Sequence, residues 1–306
     1  MEEAIVTDGL TKYYNSKVGC EQICLSVNGG QIYGFLGPNG AGKSTFVKML
    51  VGLLFPTSGK AWLFGKPLGN LAVKKKIGFL PENFHYQDWL TGLEVLNLHS
   101  SLGRLDRSAR HSRIARVLEF TGMTGRERQR VRTYSKGMQQ RLGLACALLT
   151  DPDLLFLDEP TSALDPLGRK EVREIILELK QKGKTVFLNS HLLSEVEMIC
   201  DRVAIISKGR IIEEGPLDLL TGRTVEVGVE ISGRTPDLDA ALEEASFSIT
   251  WSGERGKVLL SNKEDRARLA EVIVKNGGKL YELVGRQNSL EDLFVNLVQE
   301  GREKDC

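Results

Sequence analysis

Gly37 to Thr45 reads GPNGAGKST, and the spacing G-x-x-x-x-G-K-[ST] wraps backbone N–H groups around a row of phosphates. Gly37, Gly40 and Gly42 let the chain turn, while Pro38, Asn39, Ala41 and the closing Thr45 complete the loop. A helix starting behind the loop adds roughly half a positive charge at its first turn. Lys43 is placed to hold the β- and γ-phosphates, and Ser44 offers a hydroxyl to Mg2+. Far downstream stand the adjacent carboxylates Asp158 and Glu159, at the end of an apolar run. Alternation along a strand sends the two in different directions, so Asp158 can serve the metal and Glu159 can polarise the water that attacks the γ-phosphate. His191 follows a second apolar run and can donate to the γ-phosphate. The chemistry implied is Mg2+-assisted attack of water on the γ-phosphate of a bound nucleotide.

These groups need rigid elements to hold them. Gln31–Leu36 (QIYGFL) is a short apolar run that ends in the glycine loop, and Lys43–Leu54 carries helical spacing. Leu154–Leu157 and Thr185–Leu188 are further apolar runs, separated by the helical pattern of Leu167–Lys180, which predicts a parallel sheet flanked by helices. Ile205–Gly215 reads as a hairpin turning at Lys208-Gly209. Between about 92 and 150 the pattern is helical and rich in arginine, predicting a helical subdomain. Past Gly222 the order becomes strand (224–231), helix (237–244), strand (247–251), strand (257–260), helix (263–275) and strand (279–284), which is ferredoxin-like. A last helix is expected over Leu290–Gln299. The predicted domains are therefore 1–221 and 222–306.

With 306 residues and 41% hydrophobic side chains, the chain can fill a large core and a small one. Its 41 basic and 40 acidic residues balance to +1, so overall charge does not point to nucleic acid. No apolar run approaches the ~20 residues of a membrane-spanning helix, and MEEAIVTDGL does not read as a signal peptide. Five scattered cysteines suit a reducing compartment, and the expected location is cytoplasmic. Cys20 and Cys24 lack a nearby second pair to complete a zinc site.

Residues 135 to 165, SKGMQQRLGLACALLTDPDLLFLDEPTSALD, complete a pattern. Taken with the glycine loop and His191, residues 4 to 220 resemble the nucleotide-binding subunit of an ABC transporter. The resemblance implies an α/β P-loop NTPase cassette, with a RecA-like core and a helical subdomain, joined here to a small α+β domain. It implies ATP and Mg2+ as cofactors. It also implies that the YSKGM turn, with Ser135, Lys136, Gly137 and Met138, seals ATP held by a second subunit, either another copy or a paralogous cassette. Asp165 would couple the two sites, and Tyr14 would stack on adenine, with Tyr13 as the alternative. Where many cassettes have Gln, in the loop linking metal to permease, this chain has Glu82, which still offers an oxygen. Where LSGGQ is common it has YSKGM, so Lys136 either attracts phosphate or faces solvent. Both variants resemble those of export-type cassettes that pair with separate ABC-2-like permeases and often carry an extra C-terminal domain.

The expected function is thus ATP hydrolysis by a head-to-tail dimer that drives export through an integral membrane permease, from the cytoplasmic face of the cell membrane. The alternative is a soluble ABC ATPase acting on ribosomes or DNA. Such proteins resemble tandem cassettes or a cassette split by a long coiled coil, whereas about ninety residues separate loop and signature here. Intact Lys43, Asp158, Glu159 and His191 count against a regulatory subunit without hydrolysis. The arginines at 107, 110, 113, 116, 126, 128, 130 and 132 form either a solvated face or one that approaches anionic lipid headgroups, and no aromatic interleaving points to nucleic acid. Asn262-Lys263-Glu264-Asp265 fits a guanine-recognition pattern, but reads more simply as a helix start capped by Asn262.

Overall fold

A computed structural model describes residues 2–15, 17–162, 164–221, 225–260, 263–287 and 289–303. The chain divides into two compact units, Met1–Glu214 and Gly215–Cys306.

The first unit opens with β1 (Glu3–Tyr14) and β2 (Lys17–Asn28), an antiparallel pair. Next, β3 (Ile32–Leu36) enters the glycine loop and α1 (Lys43–Leu50) leaves it. β4 (Ser58–Leu63) and β5 (Lys66–Pro67) return beside β1, giving a sheet in the order β2-β1-β4-β5. After α2 (Leu71–Lys74) and β6 (Ile77–Leu80) come α3 (Gly92–Leu102), α4 (Arg107–Phe120), one 3-10 turn at Val131–Thr133 and α5 (Lys136–Leu148). The chain then runs through β7 (Leu154–Asp158), α6 (Pro166–Gln181), β8 (Thr185–Ser190), α7 (Leu193–Ile199), β9 (Arg202–Ser207) and β10 (Arg210–Pro216). A six-stranded sheet forms in the order β10-β9-β3-β8-β7-β6, and its β9-β3-β8-β7-β6 pairs are parallel.

Continuous apolar runs produce the buried strands that a parallel sheet covered on both faces requires. Every residue of β3, β7 and β8 is buried. Phe35, Phe46, Phe156 and Phe187 pack ring to ring, with centroids 4.9 to 6.0 Å apart. The core therefore sits directly beneath the loop and the carboxylates.

The expected helix over Lys43–Leu54 ends four residues sooner. Gly52 adopts φ 77°, its N–H bonds Met49 O at 3.0 Å, and the Leu53 N–H bonds Lys48 O at 2.8 Å. This paired left-handed cap satisfies the last carbonyls and turns the chain out. The hairpin at Lys208-Gly209 has both residues at positive φ, 49° and 86°, as a two-residue turn matching the strand twist demands.

The second unit contains α8 (Leu217–Thr221), β11 (Val225–Ser232), α9 (Pro236–Glu244), β12 (Ile249–Ser252), β13 (Arg255–Leu260), α10 (Lys263–Lys275), β14 (Lys279–Gln287) and α11 (Leu290–Glu303). Its strands pair antiparallel in the order β12-β13-β11-β14, the split arrangement of a ferredoxin-like unit. Val227, Val229 and Ile231 alternate inward on β11 and join Leu238, Leu242, Leu269 and Ile273 in a separate core. Thr224, the expected first strand residue, and Asn262, the expected helix cap, lie outside the described residues.

Candidate functional site

The glycine loop owes its path to contacts that admit no side chain. Gly42 has φ 106°, and a Cβ there would lie 2.1 Å from Gly19 O; at Gly37 it would lie 2.3 Å from Ile206 O. Lys43, 6% exposed, folds back so that Nζ donates to Gly37 O at 2.7 Å. Burial lowers its pKa, opposed by the negative charge of Glu159, Asp158 and Glu82. The ammonium is thus parked on the loop's own carbonyl, available to a phosphate that replaces it.

The carboxylates come from the end of β7. Asp158 is 2% exposed, and burial raises its pKa against hydrogen bonds from Ser44 and Asn189. Ser44 Oγ stands 3.4 Å from Asp158 Oδ1, and Asn189 Nδ2 donates to the same oxygen. A half-buried hydroxyl beside a buried carboxylate offers the hard oxygen donors that Mg2+ takes, so the residues fit this ion. Glu159 leaves the strand at φ 53°, a left-handed conformation held by its N–H bonding Asn189 O at 2.9 Å. That turn aims its side chain away from Asp158 and toward His191, whose Nδ1 lies 2.8 Å from Glu159 Oε2.

One cavity of about 570 Å³ gathers Tyr14, Asn39, Gly40, Gly42, Lys43, Ser44, Thr45, Glu82, Glu159 and His191. Of the two tyrosines weighed for adenine, Tyr14 lines this cavity and is 44% exposed. Tyr13 instead bonds Glu21 through its hydroxyl at 2.7 Å, and Glu21 pairs with Arg210. Gly37, Pro38, Ala41 and Asp158 do not line the cavity, and Gly37 and Asp158 are joined to it through Lys43 and Ser44.

Ser135, Lys136, Gly137, Met138 and Asp165 are elsewhere. They line a separate cavity of about 800 Å³ that shares no residue with the first. Ser135 caps α5, its Oγ accepting from the Met138 N–H at 3.2 Å, and Asp165 caps α6 by accepting from the Gly168 N–H at 2.9 Å. Sequence reasoning passed over Lys17, Val18 and Gly19, which wall the first cavity from β2, and Asn189, whose side-chain amide bonds the Asp158 carboxylate and whose backbone carbonyl accepts from the Glu159 N–H. Asn189 stands two residues before His191, and that short spacing is the signal that could have found it.

Residues 20–162 match the ABC transporter family. The chain is similar to an uncharacterized ABC transporter ATP-binding protein of Nostoc sp., at 39% identity over 97% of this chain and 90% of the relative. It is likewise similar to the bacitracin transport ATP-binding protein BcrA of Bacillus licheniformis, at 36% identity over 98% and 99%. The daunorubicin resistance ATP-binding protein DrrA3 of Streptomyces coeruleorubidus is 33% identical over 98% of each chain. A solved ATP binding subunit of an ABC transporter has the same fold, with a TM-score of 0.65 and 30% identity over 71% of this chain and 91% of that one. The curated relatives align over nearly the whole chain, through both compact units, and so the chain belongs to the ABC transporter family, as an ATP-binding and ATP-hydrolysing subunit.

Proposed function

We propose that the chain is the motor of an export system, in which two cassettes close head-to-tail over two ATP molecules and move an integral membrane permease. The observation that carries this is the separation of the two cavities. Lys43, Glu159 and His191 share one, whereas the Ser135–Met138 turn opens into the other, so the turn is free to serve a second cassette's nucleotide. The N–H groups at the first turn of α5 are the donors it would offer, with the Lys136 cation beside them. The partner is a second copy or a paralogous cassette. Relatives named for bacitracin transport and daunorubicin resistance support an export role.

Within each closed site, Tyr14 stacks on adenine and the Gly37–Thr45 loop binds the phosphates. Ser44, Asp158 and Glu82 would hold Mg2+, which would supply positive charge to offset that of the phosphates. Glu159 orients and deprotonates the attacking water, and His191 fixes the Glu159 carboxylate while facing the γ-phosphate. Asp165, at the start of α6 beside the signature turn, links one site to the other.

The permease has a docking place that the same loop reaches. A groove of about 1150 Å³ runs between α2, the segment after β6, α3 and α5, with exposed Leu71, Leu98 and Leu102 along it. Phe84 and Tyr86 line it two and four residues beyond Glu82, so a permease segment seated there presses on the chain that carries Glu82. Among the described residues no helix is long and apolar enough to cross a membrane. The cassette sits peripherally on the cytoplasmic face, held there by the permease.

The test is Glu159→Gln. It is expected to keep ATP binding, to lose on the order of a hundredfold or more in turnover, and to accumulate an ATP-bound dimer by size-exclusion chromatography. Unchanged hydrolysis would remove Glu159 from the chemistry, and a purely monomeric ATP complex would overturn the shared site.

A further inference from the structure

The helical subdomain carries charge that the ATP cycle does not use. Residues 92 to 150 hold eleven basic and four acidic side chains, a surplus of seven in a chain whose total is +1. The remainder is therefore net −6, and the asymmetry is confined to α3, α4, α5 and their connections.

Part of this surplus surrounds a groove of about 590 Å³ between α3 and α4, closed at one end by the turn at 124–128. Its floor is apolar, built by Leu93 on α3 and by Ile114 and Leu118 on α4, and the last two are buried. Its rim is cationic. Arg107, Arg110 and Arg128 line it, with His111 one helical turn from Arg107. Arg110 is fixed in place, Nε donating to Leu105 O at 3.0 Å and a terminal N–H to Ser101 Oγ at 2.8 Å. Among the described residues, no carboxylate lies within ion-pair distance of Arg107 or Arg128. Arg113, by contrast, is spent inside the fold on the Leu148 and Leu149 carbonyls and Asp151.

A cationic rim over an apolar floor fits a ligand that is anionic at one end and hydrocarbon at the other. We propose that this groove binds an anionic glycerophospholipid, with its phosphodiester between Arg107 and Arg128 and the first part of an acyl chain along Leu93, Ile114 and Leu118. Glu127 also enters the groove, with one carboxylate oxygen shielded from solvent and without a hydrogen-bond partner. A carboxylate there disfavours a bare phosphate dianion and favours a headgroup that donates hydrogen bonds, as the hydroxyls of phosphatidylglycerol do.

The placement along α3 agrees. Leu98 and Leu102 on this helix border the permease groove, while Leu93 and Asn97 border the basic groove. A cassette docked through the first would present the second close to the bilayer that surrounds the permease, where basic residues gain from the negative surface potential. The inference thus rests on the membrane-docked reading, but vesicle binding is measured without a permease and hydrolysis without vesicles, so each fails separately.

The experiment is flotation of the full chain with vesicles of phosphatidylcholine alone, or of phosphatidylcholine doped with phosphatidylglycerol. The wild-type chain is expected to float only with the doped vesicles. Arg107→Gln/Arg128→Gln should weaken that binding by roughly tenfold or more. Arg116→Gln/Arg130→Gln removes the same charge from exposed positions outside the groove and should leave most of the binding intact. Melting temperature and ATPase rate, measured on both variants, show that each is folded. Equal losses in the two variants would replace the groove with diffuse attraction and overturn the proposal. So would binding to neither vesicle or to both alike, or displacement by soluble glycerol phosphate at concentrations that match the lipid.

Discussion

At the scale of single residues the site is organised by one residue that does no chemistry itself. Asn189 is fully buried; its side-chain amide N–H holds Asp158, and its backbone carbonyl holds the N–H of Glu159 in a left-handed turn. Two neighbouring carboxylates are thereby sent in two directions, Asp158 toward Ser44 and Glu159 toward His191, which strand alternation alone anticipates only in outline. Asp158 has a stability cost attached. Burial raises its pKa, so its ionisation is opposed by folding; stability is largest below the ordinary aspartate pKa and declines as pH rises through the elevated one. Above the elevated pKa the metal-free chain carries that cost in full. Asp158→Asn is therefore expected to raise the metal-free melting temperature, on the order of a few degrees, while abolishing the Mg2+ dependence of hydrolysis. A lower melting temperature would show that the carboxylate is a net structural asset.

At the scale of elements, the glycine loop is wedged between β2 and β9, with no room for side chains at Gly42 and Gly37. Gly42→Ala places a methyl group 2.1 Å from Gly19 O at φ 106°. It is expected to cost about 1–3 kcal/mol in stability and to remove ATP binding, as followed by denaturant titration and nucleotide fluorescence. Wild-type affinity in that variant would mean the loop has slack it does not display. The loop itself, the buried strands and the order of the second unit's elements were legible in the sequence because each depends on local pattern: glycine spacing, unbroken apolar runs, and a change of period from 3.6 to 2. The antiparallel sheet of β1, β2 and β4 was not, because β4 pairs with β1 across the intervening β2, β3 and α1, and the strands are interrupted by irregularities of register. Asn189 escaped for a related reason. An asparagine near a strand end acquires meaning only when β7 is laid beside β8, where Asp158 pairs with it. The choice between Tyr13 and Tyr14 likewise required the pairing of Tyr13 with Glu21.

At the scale of the whole molecule, each compact unit has its own core, one around the stacked phenylalanines and one around β11, α9 and α10. Calorimetry is expected to resolve two transitions. Mg2+ and ATP, at a hundred times their dissociation constant, should stabilise the unit that holds the phosphate loop by about 2.7 kcal/mol and leave the other in place. A single transition that moves as one would contradict separate cores. The two cavities of the first unit have a further consequence, which is genetic. Suppose one gene copy carries Lys43→Ala and another carries Ser135→Ala. Where two copies of the chain pair, each lesion alone spoils both sites of the dimer. In the mixed dimer the Ser135 lesion faces the cavity already broken at Lys43, and both faults collect in one site while the other is assembled from sound halves. Two alleles that fail singly should therefore complement when co-expressed, as read by hydrolysis in the mixed dimer, and two copies of either lesion should not.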